Sequence, residues 1–201
     1  MPKGKSAQKS KIREYTEIIV TAVVLALIVR AFVIQSYHIP SESMENTLLK
    51  GDFLFASKFI YGAKVPFVDW YLPAVRDPKP GDIVIFKYPG DGKTDYIKRC
   101  IAVEGQTVEV KGTKVYIDGV EQEEDYTKFI YGDRNRRDYG PYVVPEDHIF
   151  VMGDNRDNSF DSRFWGPLDK KLLRGKALFI YFSVDYDKHW LRFGRIGDLI
   201  R

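Results

Sequence analysis

Apolar positions along this chain follow two regimes. From Ile18 to Ile34 they are almost continuous, interrupted only by Thr21 and Arg30. A run of that kind, apolar on every side, reads as a helix surrounded by apolar material rather than one lying on a core. Its length, at about 1.5 Å per residue, gives roughly 25 Å, the lower edge of a membrane crossing. Arg30 sits one turn from the far end, where its long stem can carry the charge to an interface. Beyond Ile34 the pattern changes to short runs rich in β-formers. Asp52 to Ala56, Asp82 to Phe86, Thr107 to Val110, Lys114 to Ile117 and His148 to Met152 all read as strands. Leu178 to Val184 reads as a last core strand.

Turn signals punctuate these runs. Gly51-Asp52, Gly81-Asp82, Asp118-Gly119 and Gly153-Asp154 mark breaks, and Asp118-Gly119 predicts a tight hairpin. No long amphipathic helix competes. The expected architecture is an all-β, mainly antiparallel body over residues 36–201. A helical anchor over 18–35 and a basic tail over 1–17 precede it. Residues 106–145 are more polar, with charge runs at Glu121–Asp125 and Asp133–Asp138, and are expected to form a small insertion, an exposed hairpin and loop. Val65 to Pro73 is expected to be a loop with exposed aromatics.

Charge sharpens the topology. Lys3, Lys5, Lys9, Lys11 and Arg13 against Glu14 and Glu17 leave +3 in the tail, and Arg30 makes it +4. The whole chain carries +3, so residues 31–201 carry about −1. A basic tail before an apolar segment predicts a cytoplasmic N-terminus with the body outside. A body without net positive charge argues against a nucleic-acid partner. A cleavable leader needs small residues soon after the apolar run; the late candidate, Ser41-Glu42-Ser43, would split the main motif, so an uncleaved anchor is expected. With Cys100 as the single cysteine no intrachain disulfide forms, and Cys100 reads as a small buried apolar residue. His38, His148 and His189 show no metal-ligand spacing.

Three clusters carry chemistry: Pro40-Ser41-Glu42-Ser43-Met44, Tyr96-Ile97-Lys98-Arg99, and Gly153 to Arg163. A serine hydroxyl needs a base to become a nucleophile. Lys98 is a base only when neutral, and burial favours the neutral form. Tyr96, Ile97 and Ile101 to Val103 form an apolar strand able to supply that burial, with Arg99 on the opposite face, solvated or paired. Taken singly each cluster has a plain structural reading; Ser41 and Ser43 would cap a helix starting near Met44.

In this order, behind an anchor of this kind, the clusters closely resemble those of bacterial type I signal peptidases, membrane-bound Ser-Lys serine endopeptidases. The resemblance runs from the anchor to about Gly166. It implies Ser43 as nucleophile and Lys98 as general base, with the Ser43 N–H and the Ser41 hydroxyl forming the oxyanion hole. It implies that Ser159 orients Lys98 and that Asp161 and Arg163 form a supporting ion pair. Ile39, Met44, Leu48, Tyr96 and Ile97 match positions lining substrate pockets, and their alternative role is ordinary core. The implied partners are preprotein signal peptides, cut after small-x-small (Ala-x-Ala-like) sites, and the lipid bilayer; neither metal nor organic cofactor is needed, and a monomer in the bacterial plasma membrane is expected. Two stretches depart from the family pattern. Met44-Glu45-Asn46-Thr47-Leu48 has asparagine where proline is usual, so a looser loop is expected. Glu104-Gly105-Gln106 stands where Pro-Gly-Asp is usual.

Two other readings compete. Ser-Lys autoproteases of the repressor-like type share the core fold but carry a DNA-binding segment where this chain has Ile18 to Ile34. A catalytically inactive, membrane-tethered signal-peptide-binding module of the same fold would bind signal peptides without cutting them.

Overall fold

The computed structural model describes residues 11–32, 34–62, 73–131 and 138–201. Lys3, Lys5 and Lys9 of the tail, the aromatic loop from Val65 to Leu72, and Asp133 to Arg137 of the second charge run lie outside the described residues.

The first helix, α1 (Lys11–Phe32), starts seven residues before the expected anchor and ends at Phe32, because Ile34 already belongs to a strand. Its first two turns carry Lys11, Arg13, Glu14 and Glu17, with Arg13 and Glu17 paired one turn apart. Among the described residues no helix is long and apolar enough to cross a membrane. The membrane-spanning part of the expected architecture therefore rests on the apolar pattern of the sequence.

Strands then follow in chain order. The first nine are β1 (Ile34–His38), β2 (Asp52–Ser57), β3 (Ile83–Lys87), β4 (Asp95–Val103), β5 (Thr107–Lys111), β6 (Lys114–Ile117), β7 (Val120–Glu121), β8 (Tyr139–Val143) and β9 (His148–Met152). A one-turn helix α2 (Ser162–Trp165), β10 (Leu168–Asp169), β11 (Leu173–Asp185) and β12 (Trp190–Leu191) complete the chain. The main sheet has the order β1-β2-β11-β3-β4-β9-β10, with β12 paired to β11, and a second sheet has the order β7-β6-β5-β8. Every pairing between these strands is antiparallel.

β11 is the seam of the main sheet. Its N-terminal part pairs with β3 and the stretch from Lys176 on pairs with β2, with register shifts that bend it between the two. Gly175 sits where the strands converge, and a Cβ there would strike the Ser57 carbonyl. Alternation along β3 buries apolar groups on both faces: Ile83 and Ile85 join Leu48, Leu54, Ile97 and Ile180 on one side, while Val84 and Phe86 join Cys100, Ile149 and Val151 on the other. Each of these large side chains contributes about 1.5–3 kcal/mol by burial.

Residues 106–145 form more than a hairpin and loop. Val108, Val110, Val115, Ile117 and Val144 build a third core with Ile101, Ala102, Phe150 and Met152 of the main sheet. The polar composition of this stretch reflects its outward face, and every second residue of β5 and β6 still points inward. The Asp118-Gly119 hairpin is present, joining Ile117 to Val120 with positive φ at both turn residues.

Candidate active site

Ser43 lies on the connection from β1 to β2, and Lys98 lies near the middle of β4. The loop after β1 is held back on the sheet by Ile39 N–H to the Asp52 carbonyl and Gly51 N–H to the Ile39 carbonyl. Met44 and Leu48, both fully buried, plug the loop into the core beside Ile39 and Ile97. That plug turns Ser43 toward Lys98, and Lys98 Nζ lies 2.7 Å from Ser43 Oγ. The amine also donates to the Ile97 carbonyl at 2.9 Å and stands 5.4 Å from the centre of the Tyr96 ring.

Lys98 is 4% exposed. Burial lowers its pKa to about 8; Asp161 and Asp154 oppose the shift and Arg163 adds to it. Neither carboxylate is free to rescue the ammonium, because each already serves a guanidinium. Asp154 takes Arg99 Nε and Nη2, both at 2.8 Å, and Asp161 takes Arg163 Nε at 2.8 Å and Nη2 at 2.9 Å. A substantial fraction of Lys98 is thus neutral near pH 8, carrying the lone pair that a base requires.

A cleft of about 580 Å³ opens over this pair. Ser41, Ser43, Tyr96, Ile97, Lys98 and Ser159 line it together. Ile39, Met44 and Leu48 are buried in the core below and are not on the cleft wall. The sequence singled out neither Tyr37 and His38 at the end of β1, Thr94 and Asp95 at the start of β4, nor Phe160 and Phe164, all of which line the cleft. The signal available for Tyr37, His38 and Asp95 is their position at strand ends close to Ser43 and Lys98.

Ser159 shares the cleft, yet its buried hydroxyl makes no hydrogen bond among the described residues. The bond to Lys98 implied by the resemblance is not made; the amine instead meets the Ile97 carbonyl and Ser43 Oγ. Gly153 leaves the room beside it: a Cβ there would overlap both Ser159 Oγ and the Ser43 carbonyl. Asp161 accepts from Gly153 N–H at 3.0 Å and caps α2, so the Asp161–Arg163 pair fixes the backbone flanking Ser159. Arg99, expected on the face opposite Lys98, is there, buried and paired with Asp154 and lying 3.7 Å from the Tyr126 ring centre.

The two departures from the family pattern are tightly held. Asn46 has a φ of 100°, and its Nδ2 donates to the Tyr126 and Thr127 carbonyls, each at 3.3 Å. The expected looser loop is therefore pinned, by a residue type that tolerates positive φ. Proline is locked near −65° and cannot occupy this conformation. Asn46→Pro is expected to destabilise the domain by more than about 1 kcal/mol, while Asn46→Gly stays closer to the parent; thermal unfolding of both variants checks this. At the other departure, Gly105 takes a φ of 79° and the Gln106 side chain accepts from Val103 N–H at 2.9 Å, closing the turn.

The family model described as signal peptidase, peptidase S26, matches residues 12–182. Signal peptidase I of Pseudomonas fluorescens is 32% identical over 222 residues, covering 92% of this chain and 78% of that relative. Signal peptidase I P of Bacillus subtilis subsp. natto is 34% identical over 189 residues, covering 90% of this chain and 95% of that relative. Signal peptidase I of Bacillus licheniformis is 38% identical over 186 residues, covering 89% and 92%.

Proposed function

Because this chain belongs to the signal peptidase family, peptidase S26, we propose that it is a membrane-anchored serine endopeptidase that removes signal peptides from exported preproteins, with Ser43 as nucleophile and neutral Lys98 as base. The observation carrying this reading is the 2.7 Å approach of Lys98 Nζ to Ser43 Oγ at the foot of an open cleft. Lys98 takes the Ser43 proton as Oγ attacks the scissile carbonyl. The oxyanion that forms is met by the Ser43 N–H and the Ser41 hydroxyl. The protonated lysine then gives its proton to the departing amine, leaving an acyl-enzyme on Ser43. Lys98, neutral again, activates the water that releases the acyl group.

The substrate enters as an extended strand, with small residues such as alanine one and three positions before the cut. Tyr96 and Ile97 on the cleft wall favour a small apolar side chain. The apolar segment Ile18 to Ile34, behind a basic tail, holds the domain at the outer face of the plasma membrane with the N-terminus in the cytoplasm. A substrate tethered in the same bilayer then meets the cleft on a shared surface. No second chain is needed to complete the constellation.

The test is purified full-length protein in detergent with a preprotein bearing an Ala-x-Ala site. Cleavage after the second alanine is expected, and Ser43→Ala is expected to lower its rate by about a thousandfold or more while leaving signal-peptide binding in place. Binding without cleavage by the parent protein would support the inactive module, and cleavage surviving Ser43→Ala would exclude this nucleophile.

A further inference from the structure

We propose that Asn155 is a positioning residue that aims the Ser43 N–H into the cleft by holding the carbonyl of the same peptide bond. The proposal rests on the peptidase reading above and names a part of the machinery outside the Ser43, Lys98 and Ser41 set.

The carbonyl of a trans peptide and the N–H that follows it point in opposite directions across one rigid plane. The Ser43 N–H therefore points away from wherever the Glu42 carbonyl is fixed. That carbonyl is held twice on the protein side: Glu45 N–H donates to it at 3.0 Å and Asn155 Nδ2 donates to it at 3.1 Å. Among the described residues no acceptor takes the Ser43 N–H. One end of the plane is clamped into the protein and the other is left available to a ligand. This is the arrangement a preorganised oxyanion donor requires.

Asn155 is well placed to act as a clamp. It is fully buried, and its own backbone N–H donates to the Ser43 carbonyl at 3.1 Å, so one residue grips the peptide planes on both sides of Ser43. The adjacent backbone is laced to a neighbouring segment: Lys128 N–H donates to the Asp154 carbonyl and Arg156 N–H to the Lys128 carbonyl. The amide orientation is fixed by its surroundings. Nδ2 faces two oxygens, the Glu42 carbonyl and, at 3.5 Å, Glu45 Oε2, so an amide oxygen turned that way would meet acceptors alone. The remaining atom, Oδ1, is buried without a partner among the described residues. An unpaired buried acceptor is a cost to the fold, and a site retains such a cost where the other half of the side chain has a task.

Asn155→Ala removes the clamp and Asn155→Asp replaces its donor with an acceptor of the same shape. Both are to be assayed as full-length protein on the Ala-x-Ala preprotein, with kcat, KM, pH profile and thermal unfolding measured together. The expected result is a fall in kcat of about 30-fold, less than the 10²–10³ for deleting an oxyanion donor outright. KM should stay within about threefold of the parent, the pH midpoint set by Lys98 should stay in place, and the domain should remain folded. Near-parental kcat in both variants overturns the proposal. So does a loss that tracks unfolding in both, or one in which the pH midpoint moves with the rate, because either assigns Asn155 to the fold or to the base. A parent protein whose cleavage survives Ser43→Ala signals failure of the peptidase reading instead, and that control is run in the same series.

Discussion

Lys98→Met is expected to reduce cleavage by about ten-thousandfold or more and, at neutral pH, to make the folded domain more stable. The two effects have one origin. Burial disfavours the ammonium and brings the Lys98 pKa from 10.5 down to about 8. Below pH 8 the amine is protonated in both folded and unfolded chains, so the folded state bears the full cost of a buried charge. Between pH 8 and 10.5 the folded protein has shed a proton that the unfolded chain still binds, and stability rises with pH. Above 10.5 both forms are neutral and the cost is gone. That lowering corresponds to a cost on the order of 3 kcal/mol. Methionine fills similar space without the charge. It forfeits the hydrogen bonds to Ser43 and Ile97, so a net gain of about 1–3 kcal/mol is expected at pH 7, fading between pH 8 and pH 10.5. Denaturant unfolding at pH 7 and pH 10.5 reads the gain and its disappearance. A Lys98→Met variant that cleaves at the parental rate would remove the lysine from the mechanism.

Asp154→Ala is expected to be the most damaging single substitution to stability among the ion pairs. Arg99 and Asp154 have side chains 3% and 0% exposed, with two hydrogen bonds of 2.8 Å. Thr47 Oγ1 donates to the same carboxylate, tying the Ser43 loop to β4 and to the Gly153–Arg163 segment. Removing the carboxylate leaves the Arg99 guanidinium buried, its charge uncompensated, with the Gly81 carbonyl, the Thr47 hydroxyl and the Tyr126 ring around it. Breaking such a pair costs about 3–5 kcal/mol, a fall in Tm of roughly 6–20 °C for a domain of this size. The exposed Lys114–Glu121 pair, 57% and 46% exposed, is a contrast, and Glu121→Ala should change Tm little. Replacing Arg99 and Asp154 together with Met and Leu should recover part of the loss, because no orphaned charge remains. Differential scanning calorimetry of the single and double variants separates these outcomes.

The strand pattern was legible because alternation writes itself into sequence. Thr107 to Val110 and Lys114 to Ile117 alternate, while Ile83 to Phe86 and His148 to Met152 are continuous runs marked as strands by their short length, β-formers and flanking turn signals. In the sequence β11 shows only from Leu178, because its first part, Leu173 to Ala177, mixes Arg174, Gly175 and Lys176 with two apolar residues and pairs through shifted register. Residues 106–145 read as a hairpin and loop because their apolar residues are sparse. They suffice only because Ile101, Ala102, Phe150 and Met152 supply the other half of that core, and no local pattern reports a partner distant in sequence. At the site, Ser43 and Lys98 stand 55 positions apart, and no spacing argument joins them; the motif context did. Asn155 and Asp154 lie within the Gly153 to Arg163 cluster, but nothing in the local sequence separates their roles from those of their neighbours. A run of Asp, Asn and Arg reads as a polar turn, and its burial becomes visible only when the loop carrying Ser43 is laid against it.

The central claim is that a lysine kept neutral by burial activates Ser43. The most direct test is the pH dependence of kcat/KM on the Ala-x-Ala preprotein. A rate that rises with pH through a midpoint near 8 is the predicted result, since the neutral base is the reactive form. A profile flat from pH 6 to 10, or a rise only near the ordinary lysine value of about 10.4, would contradict it.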